Sequence, residues 1–175
     1  AYEDAVETAE RVLRHVPKGS RPYGEANYYL GTALAMLQDF DEAYEALTEA
    51  LAVDPDDASA WYNRGLALRA LLRTGEALRD VEQALAVEKD PALCSVYEEE
   101  QAFLRDIVEE QVAMRGPTCT VDQLIEEQRT FWQGVQLMAK ERCAEAEAAF
   151  RRVIAMSNVL PQPWGNIGGC LIMQE

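Results

Sequence analysis

The sequence predicts an all-α fold built as a row of repeated helix pairs, on three observations. Ala, Leu, Glu and Arg dominate the 175 residues and β-branched runs are nearly absent, a composition that favours helix over strand. Small and apolar residues recur 34 positions apart: Gly31 and Gly65, Ala43 and Ala77, Leu34 and Leu68, then Gly134 and Gly168, Leu137 and Leu171. Trp61 and Asn63 are echoed by Trp164 and Asn166. A fixed period of this size is the signature of a solenoid. Within each period the apolar spacing is helical twice over, as in Tyr29, Leu30, Ala33, Leu34 and Leu37 followed by Ala43, Leu47, Ala50 and Leu51.

Taken in order, residues 1–17 read as the second helix of a pair, because Ala5, Ala9, Val12 and Pro17 each lie 38 residues before Ala43, Leu47, Ala50 and Pro55. The four extra residues fit a loop in "KGSRPYG", which is rich in turn formers. Residues 24–57 and 58–91 form two complete pairs, punctuated by Pro55 and Pro91, since proline cannot continue a helix. Residues 92–126 break the pattern. Glu99 stands one interval beyond Gly65, Gln111 stands one beyond Ala77, and the expected turn at Val108–Glu109 holds no breaker. The stretch from Pro91 predicts one long amphipathic helix carrying Leu93, Val96, Tyr97, Leu104, Ile107 and Val108 and closed by Gly116–Pro117, with a poor hairpin as the alternative. Thr120 and Gln123 then make a capping box for a helix from Val121 to Met138 or beyond. A further pair occupies 127–160, and 161–175 supplies a last first helix, so the chain reads as a fragment of a longer single array.

Glycine inside a helix costs about 1 kcal/mol relative to alanine. Gly31, Gly65, Gly134 and Gly168 therefore predict places where a second helix passes too close for a side chain. With these residues in hand the chain resembles the tetratricopeptide repeat, whose pattern is W-x2-L-G-x2-Y, then A-x3-F, then P. One copy shows Trp61, Gly65, Leu68, Ala77, Val81 and Ala84; another shows Leu30, Gly31, Leu34, Ala43, Leu47, Ala50 and Pro55. Later copies show Gly134, Leu137, Ala146 and Phe150, then Trp164, Ile167, Gly168 and Leu171. The resemblance implies a superhelix whose concave side, lined by the first helix of each pair, receives an extended or helical segment of another protein. The positions it assigns to that groove are Tyr28, Thr32, Met36, Tyr62, Asn63, Leu66, Arg69, Phe131, Val135 and Met138. One subgroup of the family clamps a terminal carboxylate with lysine, arginine and asparagine, and of that set only Asn63 has a counterpart. Tyr28 and Thr32 stand where a lysine and an asparagine belong, so an apolar ligand segment is expected.

Net charge is −15, which argues against nucleic-acid binding and against an anionic membrane surface. Residues 88–127 hold 11 acidic and 3 basic residues, a solvated face or a docking surface for a basic partner. No apolar stretch approaches the roughly 20 residues that span a bilayer, and no leader is read at the start, so a soluble cytoplasmic protein is expected. Cys94, Cys119, Cys143 and Cys170 lack C-x-x-C spacing and read as reduced packing thiols. His15 has no nucleophile motif near it, and "GNIGG" lacks the spacing of a phosphate loop. Neither an enzyme, a cofactor nor a metal site is expected. The expected function is a protein-binding scaffold, with self-assembly through open array ends, or service as the recognition arm of a larger enzyme, as alternatives.

Overall fold

The structure, a computed structural model, describes residues 1–157, 159 and 162–173, the side chain of Met173 excepted. The expected boundary at 160/161 and the terminal Glu175 lie outside them. Among the described residues nine α-helices follow one another and no strand occurs. They are α1 (Tyr2–Leu13), α2 (Arg21–Leu37), α3 (Phe40–Val53), α4 (Ala58–Ala70), α5 (Thr74–Val87), α6 (Pro91–Arg115), α7 (Val121–Ala139), α8 (Cys143–Met156) and α9 (Gln162–Met173). The chain divides into two compact units, Ala1–Asp106 and Ile107–Glu175.

Three hairpins, α2–α3, α4–α5 and α7–α8, turn in the same way. Gln38, Leu72 and Glu141 adopt the left-handed conformation, with φ of 69°, 60° and 57°. The next amide donates back across the turn, Asp39 to Leu34, Arg73 to Leu68 and Arg142 to Leu137, at 2.9–3.0 Å. This bond satisfies a carbonyl that the helix end would leave unpaired. Glycine is the usual residue for that conformation, and none stands there, so the turns are invisible to a search for glycine. They nevertheless keep the 34-residue interval between Gln38 and Leu72.

The glycines inside the helices behave as their spacing predicts in three cases. A methyl group on Gly31 would stand 2.6 Å from Cγ of Leu47 and 3.0 Å from the Ala43 carbonyl oxygen. On Gly65 it would meet Val81 at 3.1 Å and the Ala77 carbonyl oxygen at 3.3 Å, and on Gly134 it would meet Phe150 at 2.6 Å. Gly168 differs. A methyl there meets nothing within 4 Å, because no described helix faces it, and the expected contact is absent.

The start of the first complete pair is also corrected. "KGSRPYG" is a loop only as far as Ser20, whose hydroxyl accepts from the Tyr23 amide, and Arg21 to Gly24 already belong to α2. Proline is tolerated in a first helical turn, where no intrahelical acceptor awaits its missing N–H. Gly24 inside α2 then lets Val53 approach to 2.8 Å of where a Cβ would lie.

The core of the first unit holds Leu34, Ala43 and Ala67, with Leu30 and Phe40 packed on them, and a second cluster of Leu47, Leu51 and Ala60 against Tyr28 and Trp61. Arg64 of α4 ties α3 to α5. Its Nε and Nη2 donate to the two Asp80 oxygens at 2.7 and 2.9 Å, Nη1 reaches the Thr48 hydroxyl, and the guanidinium lies 4.6 Å over the Trp61 ring. In the second unit Cys143, Ala146, Phe150, Ile167 and Cys170 form the core. All four cysteines are free thiols, Cys143 and Cys170 buried, Cys94 and Cys119 half-buried.

The long central helix forms as one element of 25 residues, and the capping box at Thr120 and Gln123 opens α7 with both of its bonds in place. Its expected apolar stripe is divided, however. Tyr97, Leu104 and Val108 are buried while Leu93 and Val96 are exposed: around the helix 97, 104 and 108 lie along one edge of the stripe, with 93 and then 96 towards the other. Glu99, at the register of Gly31 and Gly65, is exposed. No helix of the described residues is long and apolar enough to cross a membrane.

Candidate functional site

The predicted groove residues of the first unit lie on the first helices of successive pairs, and polar contacts show how those helices meet. Thr32 of α2 and Asn63 of α4 bond through Asn63 Nδ2 to the Thr32 hydroxyl at 3.2 Å, and the Thr32 hydroxyl also donates to the Tyr28 carbonyl. These residues are 31 apart. Arg69 of α4 and Glu100 of α6, also 31 apart, bond at 2.9 Å through Nη1. The beginning of α6 thus meets α4 as α4 meets α2, although α6 never turns back as a hairpin.

This register adds residues that the sequence reading left out. One interval beyond Tyr62, Leu66 and Arg69 stand Val96, Glu100 and Phe103. Phe103 is 51% exposed with the Arg69 guanidinium 5.5 Å over its ring, and Val96 is exposed beside it on the same helix face. The signal that finds them is the interval of 34 itself, which runs on into α6 for these positions even though the glycine and alanine positions lapse. Rows at one register therefore cross the three helices: Tyr28, Tyr62 and Val96; then Thr32, Leu66 and Glu100; then Ala35, Arg69 and Phe103.

Not every predicted residue is open to a ligand. Tyr62 is half-buried, stacked on the buried Tyr97 with ring centroids 4.4 Å apart. Burial pushes its hydroxyl above the usual tyrosine range, the Glu100 carboxylate adds to this, and Arg69 opposes it. Tyr62 and Asn63 are therefore spent in part on joining helices. Met36, 56% exposed, and Tyr29, 65% exposed and edge-on to Tyr28 at 5.4 Å, are the open apolar groups of α2. Leu66 and Arg69 are half-buried between these extremes. Phe131, Val135 and Met138 lie in the second unit, where all three pack on the cluster of Cys143, Phe150 and Ile167. Phe131 sits 5.7 Å from the Phe150 ring.

At the N-terminal end of α2 the predicted groove residue Tyr28 also lines a hollow of about 300 Å³, together with Tyr29, Glu25, Asp54, Asp57 and Arg21. His15 is exposed after α1, and the "GNIGG" stretch lies inside α9. What these helices present is apolar surface with a few carboxylates and hydrogen-bonding hydroxyls.

Two family models match the chain, one for a TPR repeat over residues 31–71 and one for a tetratricopeptide repeat over residues 2–46. None of the curated proteins matches it.

Proposed function

Because the chain belongs to the tetratricopeptide-repeat family, whose repeats are generally protein-interaction modules, we propose that the first unit is a protein-binding scaffold. It takes an apolar segment of a partner across the first helices of α2–α3, α4–α5 and the start of α6. The observation that carries this reading is the exposure of Tyr29, Met36, Val96 and Phe103 on those helices, while smaller residues around them are buried. Scattered exposed apolar residues are ordinary on protein surfaces. Here Tyr29 and Met36 of α2 and Val96 and Phe103 of α6 lie one position apart in register, and α4 bonds to both helices through Thr32–Asn63 and Arg69–Glu100. A binding role needs no chemistry at the site, and in this reading the chain acts by holding a partner.

The test uses the double variant Met36→Ser with Phe103→Ser. Both side chains are exposed, so the fold and helicity are retained. Proteins captured by the wild-type chain are identified by mass spectrometry and the strongest one is titrated against both forms. A loss of affinity of about tenfold or more is expected, because a few exposed anchors carry most of the energy of such a surface. Unchanged affinity removes the groove.

A further inference from the structure

We propose that the segment held by the first unit is basic, with a lysine or arginine side chain entering the hollow between Tyr28, Tyr29, Asp54 and Asp57. This rests on the groove reading above and names the chemistry of its occupant. Three observations support it.

The first is the lining. Tyr28 and Tyr29, edge to face at 5.4 Å, both line the hollow, and an aromatic face attracts a cation. Asp54 accepts one bond from the Asp56 amide through Oδ1, and Asp57 accepts one from the Ala60 amide through Oδ1. The second oxygen of each remains for another donor. Among the described residues no lysine or arginine is paired with either carboxylate. The one cation lining the hollow, Arg21, is 90% exposed and engages Glu25 instead.

The second is the backbone field. Asp54 is the C-cap of α3, and the last turn of α3 carries no basic residue. The partial negative charge of that helix end is left for an outside cation to complement. The opposing positive end of α4 is already met by Asp57 as its N-cap.

The third is charge balance along the same edge. Residues 1–106 hold 22 acidic and 10 basic side chains, and residues 107–175 hold 9 and 6. The negative charge is thus concentrated in the unit that carries the groove. One interval beyond Asp54 and Asp56 stand Glu88 and Asp90, so the stretches 54–57 and 88–90 present five carboxylates against the single Lys89. A segment crossing the first helices meets a carboxylate edge at each interval. An apolar segment bearing lysine or arginine is complementary to it and an acidic one is repelled.

The experiment is a fluorescence-anisotropy titration with a labelled 16-residue peptide of leucine and lysine, and with the same peptide carrying glutamine for lysine. The proteins are the wild-type chain, Asp54→Asn with Asp57→Asn, and a control of equal charge change, Glu42→Gln with Glu45→Gln, on the exposed side of α3. Asparagine keeps the oxygen that caps the turn and the helix, so the first variant changes charge alone. The expected result is binding of the lysine peptide that weakens about fivefold or more in the Asp54/Asp57 variant, in keeping with two part-exposed ion pairs. The control variant binds as the wild type does, and raising salt from 50 to 300 mM reduces affinity for the wild type more than for the Asp54/Asp57 variant. Equal binding of the glutamine peptide, equal weakening in both variants, or no binding of the lysine peptide overturns the proposal. If the captured partner of the preceding section loses affinity with Met36→Ser and Phe103→Ser yet ignores Asp54→Asn and Asp57→Asn, the basic-segment inference fails and the groove stands.

Discussion

Gly31, Gly134 and Gly168 occupy the same register in their repeats and have different surroundings, which makes them a controlled set at the level of single residues. Alanine at Gly31 or Gly134 places a methyl 2.6 Å from Leu47 or Phe150. Overpacking of that kind costs about 1–3 kcal/mol. Alanine at Gly168 meets nothing and gains helix propensity, so it is expected to be neutral or to stabilise by up to about 1 kcal/mol. Urea unfolding of the three variants checks the order. Arg64 and Asp80 give a second residue-level expectation. Burial pushes the Asp80 carboxyl above the ordinary carboxylate range against the pull of Arg64. The native state therefore takes up this proton at higher pH than the unfolded chain does. Taken alone, the group adds stability as pH falls from the raised value towards the ordinary one near 4. Glu49, held below its usual range by the Tyr23 hydroxyl and Lys18, works in the opposite sense, its contribution being lost as pH falls through its lowered value. Arg64→Met is expected to raise the Asp80 titration further, as read by carboxyl NMR, and to cost about 3–5 kcal/mol because a buried charge loses its partner.

At the scale of elements, the three hairpins are closed by left-handed residues that are not glycine. Leu72 is 76% exposed at φ 60°, so its side chain has little packing to lose and its backbone is strained. Leu72→Gly is expected to stabilise by about 1 kcal/mol, measured by urea unfolding. A glycine at any of these turns would have marked it in the sequence; Gln38, Leu72 and Glu141 carry no such mark, and only their common spacing links them. The helix from Pro91 to Arg115 was legible for a physical reason: continuous helical spacing with no breaker until Gly116–Pro117 leaves the backbone no cause to turn. Which of its faces is buried was not legible. The apolar positions 93, 96, 97, 104, 107 and 108 lie within about 120° of the helix circumference, and the neighbours bury the edge that carries 97, 104 and 108 and leave the edge with 93 and 96 open. At its far end Arg115 bonds Glu127 of α7 through Nε at 2.9 Å, with both side chains buried. Their separation of 12 residues has no sequence signature.

For the molecule as a whole, the excess of carboxylates in residues 1–106 predicts that partner capture is salt-sensitive. A rise from 50 to 300 mM salt is expected to slow association more than it speeds dissociation, as read by stopped-flow mixing with the captured partner, because long-range attraction acts on encounter. A change confined to dissociation would place the binding energy in the apolar rows alone. Of the candidate groove, the sequence proposed the helices and registers. It also assigned full value to Tyr62 and Asn63, which the fold partly uses to join α4 to its neighbours, and it passed over Val96 and Phe103.

Local spacing predicted the all-α repeat and the close approaches at Gly31, Gly65 and Gly134, and it favoured an unbroken helix at the centre over a poor hairpin. Each of these depends on residues within one or two helical turns, or on a period that the chain states several times. Only the tertiary structure decided which large side chains stay open. It showed that Gly168 faces no described helix and that Arg64 holds Asp80. Those outcomes depend on which helix lies opposite, and a linear sequence does not record its neighbours in space.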